Sequence, residues 1–114
     1  MNHQIVSEDS LLHIGQNILN AAGCPPDHSR RAIEALVWAD MRGVDSHGVR
    51  LLASSVGRVL GKGSTASPDI HAIVSAGALE LWDGDFGLGL VVGSVCMERA
   101  CDLASENGVG WGTV

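Results

Sequence analysis

A histidine and an arginine that could act together on a small carboxylate-bearing molecule stand three residues apart, at His47 and Arg50. An imidazole exchanges a proton near neutral pH. The planar guanidinium of an arginine can hold a carboxylate through two parallel hydrogen bonds. Redox chemistry on a 2-hydroxyacid or 2-oxoacid needs both a proton donor and a carboxylate anchor, so His47 is the candidate catalytic residue and Arg50 a candidate substrate-binding residue.

The residues around His47 predict that it lies in the first turn of a helix over residues 47–60. Ser46 is a typical N-cap residue, and apolar side chains then recur at helical spacing. The first N–H groups of a helix have no intrahelical partner and carry positive partial charge, which favours a bound anion. Arg50 would share one helix face with His47. The alternative is a simple cap followed by an exposed ring.

The rest of the chain predicts an α/β protein with an N-terminal helical segment over residues 1–62 and the start of a sheet domain over 63–114. Ser7 is a second N-cap, and Gly61 to Ser67 has the composition of a loop. Two short runs joined by Ser75, Ala76 and Gly77 predict a hairpin. The predicted elements are helices 8–22, 26–42, 47–60 and 88–107 and strands 69–74, 78–82 and 109–114.

Composition argues against several classes of protein. The net charge is −6 with only seven Lys and Arg residues, whereas a nucleic-acid binder needs many cations. The sequence shows neither a signal peptide nor an apolar run long enough to span a bilayer, so we expect a cytoplasmic protein without a membrane partner. The cysteines have no metal-site or redox spacing and are expected to be reduced, buried thiols, and we expect no metal. The other histidines, expected to be surface or structural residues, are His3, His13, His28 and His71.

Three motifs resemble those of one family. Residues 42–49 read Arg-Gly-Val-Asp-Ser-His-Gly-Val, residues 83–89 fit D-G-x-x-G-x-G, and residues 104–110 fit A-x-x-x-G-V-G. All three are similar to hallmarks of the non-Rossmann malate/L-lactate dehydrogenase family, which includes malate, sulfolactate and ureidoglycolate dehydrogenases. The resemblance implies a mixed sheet with flanking helices of the L-sulfolactate dehydrogenase type, and oxidoreduction of a small 2-hydroxyacid/2-oxoacid pair with NAD or NADP.

The resemblance also implies roles for individual residues. His47 corresponds to the histidine that donates a proton to the substrate carbonyl during reduction, and Ser46 adjoins it as a substrate-binding residue. Arg50 matches some relatives, whereas many carry the arginine where this chain has Leu51. Relatives often have a tyrosine where this chain has Ser55, so one wall of the pocket differs.

Family members continue with an Asn-Ser-Asn-His segment and a cofactor-binding region that are absent from residues 1–114. We therefore expect an N-terminal fragment that is inactive alone, with the cofactor bound mainly by residues outside it. The complete protein is expected to be a homodimer. The alternative is a non-catalytic remnant or helical association module.

Two further patterns have alternative interpretations. Gly87, Gly89 and Gly93 follow a predicted strand and open a helix, as in a dinucleotide-binding loop. The favoured interpretation is close packing of that helix on the sheet. The second and third predicted helices also resemble a DNA-binding helix-turn-helix, which the negative net charge opposes.

Overall fold

A computed structural model describes residues 4–114, so the prediction for His3 lies outside the described residues. The helices predicted over 8–22, 26–42 and 88–107 are confirmed with ends that differ by at most two residues. The predicted hairpin is also confirmed, with strands that begin one or two residues later than expected. The elements are α1 Glu8–Ala21, α2 Pro26–Asp40, two 3-10 turns at Asp45–His47 and Val49–Leu51, α3 Leu52–Leu60, β1 His71–Ala76, β2 Leu79–Asp83, α4 Gly89–Asn107 and β3 Trp111–Thr113.

The ends of α1 and α4 follow from their sequences. The side chain of Ser7 accepts a hydrogen bond from the backbone N–H of Ser10 at 3.2 Å, which satisfies one of the unpaired amides of the first turn. The acids Glu8 and Asp9 lie in that turn, where the helix dipole favours negative charge. Gly108 ends α4 with φ of +82°, a left-handed conformation that glycine adopts without steric cost.

One apolar core joins the helices to the start of α4. The stripes of α1 and α2 face each other, and α3 and α4 close the core from the side. Burial of these aliphatic side chains supplies the main stabilising free energy. The buried members are Leu19, Cys24, Ala32, Ile33, Leu36, Val37, Val59, Leu88 and Val91.

The sheet is mixed, as the sequence predicts. Its order is β1-β2-β3, with β1 and β2 antiparallel and β2 and β3 parallel. An irregularity between Ala72 and Val74 shifts the hairpin register. Helix α4 forms the crossover from β2 to β3, and Gly110 lies so close to the carbonyl of Ala100 that a side chain would overlap it. A parallel pair needs such a crossover connection, so the fold is α/β.

Two arginines tie α4 to its neighbours. Arg31 of α2 donates to both carboxylate oxygens of Glu98, with a shortest distance of 2.7 Å, and its Nε donates to Asp27 at 2.9 Å. Arg99 of α4 donates to Glu80 of β2 at 3.1 Å. These bidentate pairs fix the helix against both the helical layer and the sheet.

The side-chain environments correct one prediction. Cys24 and Cys96 are buried thiols as expected, and burial raises the pKa of both. Cys101 is exposed, so the prediction that it is buried is wrong. It lies on the outer face of α4, five residues after Cys96, and that spacing turns the two side chains to different faces of a helix.

The other histidines lie at or near the surface. His13 and His71 are exposed, whereas His28 is half-buried. Across residues 4–114, no helix combines the length and the apolar character needed to cross a bilayer.

Candidate active site

The candidate site lies directly after α2. The helix ends at Asp40, and Gly43 turns the chain with φ of +72°. The amide of Val44 then donates to the carbonyl of Ala39 at 2.9 Å, which folds the chain back against the helix end. The glycine allows this left-handed turn, which other residues adopt only with strain.

The prediction of one continuous helix from His47 is wrong. His47 ends the first 3-10 turn, and Gly48 is extended, with φ of −86° and ψ of −160°. A second 3-10 turn follows, and α3 begins only at Leu52. The apolar periodicity of residues 49–60 does correspond to side chains that pack in or against the core, but periodicity carries no information about the break at Gly48.

The first backbone N–H of the second 3-10 turn is capped by a side chain of the preceding helix, α2. The carboxylate of Asp40 accepts a hydrogen bond from the backbone N–H of Val49 at 2.9 Å. Gly48 is buried against the same carboxylate, and a Cβ at this position would overlap it. Asp40 therefore provides the cap that the sequence analysis assigned to Ser46, and it lies nine residues before Val49, whose amide it binds.

Ser46 makes a different contact. Its Oγ lies 2.8 Å from Nδ1 of His47, within hydrogen-bond distance, and both side chains are exposed. The prediction that Ser46 caps a helix is therefore wrong. The contact occupies Nδ1 and leaves Nε2 of the same ring for another partner.

The backbone amides at this position are already paired. The amide of His47 donates to the carbonyl of Val44 at 2.9 Å, and that of Gly48 donates to Asp45 at 3.3 Å. The amide of Val49 is taken by Asp40. The amides of His47, Gly48 and Val49 are thus not free to bind an anion as predicted, because the chain turns back on itself and satisfies these three locally.

Arg50 lies in the second 3-10 turn and is exposed. The helical spacing used to place it beside His47 does not apply, since the extended Gly48 separates their two turns. The assignment of Arg50 to substrate binding therefore stays a prediction, and it no longer has helix periodicity as its support.

The serines that stand near the expected tyrosine position do not replace it. The hydroxyl groups of Ser54 and Ser55 both donate to the carbonyl of Leu51 at 2.9 Å. Hydroxyls satisfied by their own helix offer no donor to a substrate. Ser54 is exposed and Ser55 is buried, and neither presents a free hydroxyl proton.

The loop that enters α4 does not fit the diphosphate of a dinucleotide. Asp83 accepts from the amide of Asp85 at 2.8 Å, and Asp85 accepts from the amide of Asp69 at 2.9 Å. These carboxylates accept from the amides of Asp85 and Asp69, and their negative charge repels a phosphate. The amides of Asp85 and Gly87 are thus paired with Asp83 and Gly84 and are not free to bind a phosphate.

The glycines of that loop differ in role. A Cβ on Gly87 would meet Pro68 at 2.7 Å and Val92 at 3.0 Å, so close packing explains this glycine. A Cβ on Gly89 or Gly93 would meet nothing within 4 Å, so the packing prediction is wrong for these two. Their face of α4 borders a cavity rather than a neighbouring element.

That cavity, of about 660 Å³, lies between the hairpin and α4. Its walls are mainly apolar and include Trp82, Phe86 and Val114. His47 is not among its lining residues. Among the residues from 4 to 114, no three side chains of His, Cys, Asp or Glu gather into a potential metal site.

Asp40 is the residue that sequence reasoning missed. Its signal was indirect, since a glycine at position 48 inside a predicted helix costs stability and suggests a close approach. The sequence alone does not reveal which group approaches, because the partner lies in another element.

Comparison with known proteins gives one consistent result. The sequence profile described as malate/L-lactate dehydrogenase matches residues 6–114. A malate dehydrogenase from Pyrococcus horikoshii is 36% identical over 109 residues, which is 96% of this chain and 30% of that protein.

Solved structures agree with the sequence comparison. The structure of malate dehydrogenase from Pyrococcus horikoshii superposes with a TM-score of 0.88 over 92% of this chain and 30% of that one, at 36% identity. Sulfolactate dehydrogenase from Methanocaldococcus jannaschii gives a TM-score of 0.89 over 94% of this chain and 31% of that one, at 29% identity. The chain therefore spans about 30% of the length of these relatives. It belongs to the malate/L-lactate dehydrogenase family.

Proposed function

We propose that the full-length protein containing this chain is a 2-hydroxyacid dehydrogenase that uses NAD or NADP, and that His47 is its proton donor. The observation that carries this proposal is the contact between Ser46 Oγ and His47 Nδ1 at 2.8 Å on an exposed ring. It lies within the region that matches the dehydrogenase family.

The contact selects how the ring would act. When the ring is protonated, Nδ1–H donates to the Ser46 oxygen and stays in place after the transfer, which leaves a neutral ring, and the proton to be transferred is that of Nε2–H. That N–H is directed away from the serine and can approach the carbonyl oxygen of a 2-oxoacid. Reduction adds a hydride to the carbonyl carbon and a proton to its oxygen, and His47 accounts for the proton. The reverse reaction returns the proton to Nε2.

Arg50 is proposed to hold the substrate carboxylate. It is exposed in the second 3-10 turn, and a guanidinium is the best side chain for two-point carboxylate binding. Orientation of the substrate would let His47 meet the carbonyl oxygen rather than a carboxylate oxygen.

Residues outside the chain must complete the site. The carboxylates of Asp83 and Asp85 disfavour a diphosphate at their loop, so the cofactor is proposed to bind mainly to other parts of the full-length protein. The exposed candidate residues are consistent with a pocket closed by further polypeptide, either from the same chain or from a second copy in a homodimer.

The experiment is an activity screen of the full-length protein. Pyruvate, oxaloacetate and 3-sulfopyruvate are each offered with NADH and with NADPH, and oxidation of the cofactor is followed by absorbance. Turnover of at least one 2-oxoacid that depends on protein concentration is expected. A purified, folded protein that turns over none of these acids with either cofactor would contradict the proposal.

A further inference from the structure

We infer that Asp40 is a positioning residue, whose carboxylate fixes the backbone on which His47 is carried. This inference rests on the proposed function, since it takes His47 as the proton donor. It adds a residue that lies in the preceding helix and need not touch the substrate.

The first support is the hydrogen bond from the Val49 amide to Asp40 Oδ2 at 2.9 Å. Both residues are half-buried, so water competes less well for this pair than at a fully exposed site. A hydrogen bond to an ionised acceptor is also stronger than one between neutral groups. The bond therefore joins the end of α2 to the start of the segment that follows His47.

The second support is steric. Gly48 is buried, and any Cβ at this position would overlap the Asp40 carboxylate. The glycine lets the backbone pass directly beside the side chain in an extended conformation. Carboxylate and glycine thus fit each other, and His47 is the residue immediately before the glycine.

The third support is that both ends of the segment from Val44 to Val49 are hydrogen-bonded to the C-terminal end of α2. The Val44 amide binds the carbonyl of Ala39 at 2.9 Å, and the Val49 amide binds Asp40. Ala39 is buried, and Val49 packs against the apolar core. The residues between these two anchors, including Ser46 and His47, are therefore held by a rigid base although their side chains are exposed.

The inference requires an acceptor at position 40, and substitutions can separate that role from general stability. Asp40→Ala removes the acceptor, whereas Asp40→Asn keeps a side-chain oxygen that can accept the Val49 amide. Gly48→Ala leaves the acceptor in place and forces a methyl group into it. Asp102→Ala, on the exposed face of α4, is the control for loss of an aspartate. Gly57→Ala, where a Cβ meets nothing within 4 Å, is the control for the added methyl.

The variants are made in the full-length enzyme and assayed for kcat with the best 2-oxoacid from the screen. Asp40→Ala and Gly48→Ala are expected to lower kcat by about 10- to 100-fold, the scale of a misplaced catalytic group. Asp40→Asn should stay within about threefold of wild type, because the hydrogen bond survives. Both control variants should match wild type.

A readout that does not depend on turnover is the NMR resonance of the His47 ring, assigned by its loss in His47→Ala. Asp40→Ala should move this resonance, and Asp40→Asn should restore it. If Asp40→Ala lowers only the melting temperature and leaves kcat and the resonance unchanged, Asp40 is a structural residue and the inference is overturned. It is also overturned if Asp40→Asn fails as fully as Asp40→Ala.

The two proposals fail in different ways. Normal turnover by His47→Ala contradicts the proposed function, whatever the Asp40 variants do. If His47→Ala is inactive while Asp40→Ala is fully active, the proposed function stands and the positioning inference fails. If the screen finds no turnover, the His47 resonance still decides whether Asp40 fixes the ring.

Discussion

The hydroxyl of Ser46 lies 2.8 Å from Nδ1 of His47 and does not cap a helix. The helix that Ser46 was expected to begin starts only at Leu52, after a 3-10 turn that Asp40 caps. Ser46 is therefore placed to orient the imidazole rather than to stabilise the fold, and its substitution should affect activity more than stability.

Replacement of Ser46 by alanine tests this distinction. Ser46→Ala should change the free energy of unfolding by no more than about 0.5 kcal/mol, as for most surface positions. It should lower kcat of the full-length enzyme by up to about tenfold, the equivalent of one hydrogen bond worth about 0.5–1.5 kcal/mol. Chemical denaturation and steady-state kinetics measure the two effects.

Ser7→Ala is the matched control. Ser7 does cap α1, so its loss should destabilise the protein by about 0.5–2 kcal/mol and leave kcat unchanged. If Ser46→Ala destabilises the protein as much as Ser7→Ala and keeps the kcat of wild type, Ser46 does not orient the imidazole as described.

A second prediction concerns Gly110, which lies against the backbone of α4. Gly110→Ala should destabilise the protein by roughly 1–3 kcal/mol, because the methyl group would overlap the carbonyl of Ala100, and backbone atoms cannot move aside as a flexible side chain can. Gly57→Ala should instead stabilise by about 0.5–1 kcal/mol, since it lies inside α3 with open space around it. Urea unfolding of both variants checks the difference in sign, and two changes of the same sign would contradict the packing.

A third prediction concerns the pH dependence of stability. Glu80 is 6% exposed, and hydrogen bonds from Arg99 lower the pKa of its carboxyl below the ordinary value of 4.5, with Trp82 and Ser75 also donating to it. A carboxyl whose pKa is lowered by folding contributes stability above its unfolded pKa. That contribution is present above pH 4.5 and is lost as the pH falls through the lower pKa of the folded state.

Thermal unfolding of Glu80→Gln across this range measures the contribution. The variant should melt at a lower temperature than wild type near neutral pH, and its melting temperature should fall less steeply below pH 4.5. Glu106→Gln, which removes a more exposed partner of the same arginine at 3.6 Å, should have a smaller effect. If the melting temperatures of wild type and Glu80→Gln change in parallel with pH, the ionised Glu80 carboxyl does not contribute the stability described.

The parts of the fold that local sequence determines were predictable. The span of α1 follows from the Ser7 cap and an apolar stripe, and that of α4 from a glycine after its last turn. The alternating run that became β2 also identified the hairpin. In each case the residues that specify the element lie within the element or next to it.

The parts that depend on distant contacts were not predictable. The break at Gly48 is set by the side chain of Asp40, and the exposure of Cys101 by how α4 is rotated on the sheet. Periodicity places residues on faces of an element but does not state where another element will contact it. The same limit applies to the candidate site, where the sequence identified His47 and Ser46 as candidates but did not reveal their mutual contact.

The most direct measurement of the central claim is kcat of the full-length His47→Ala enzyme for reduction of its 2-oxoacid substrate. If His47 is the proton donor, as proposed, its removal should lower kcat by about 10²- to 10⁴-fold. His13→Ala, which removes an exposed imidazole on α1, should leave kcat unchanged. Turnover by folded His47→Ala within about threefold of wild type would contradict the role assigned to this residue.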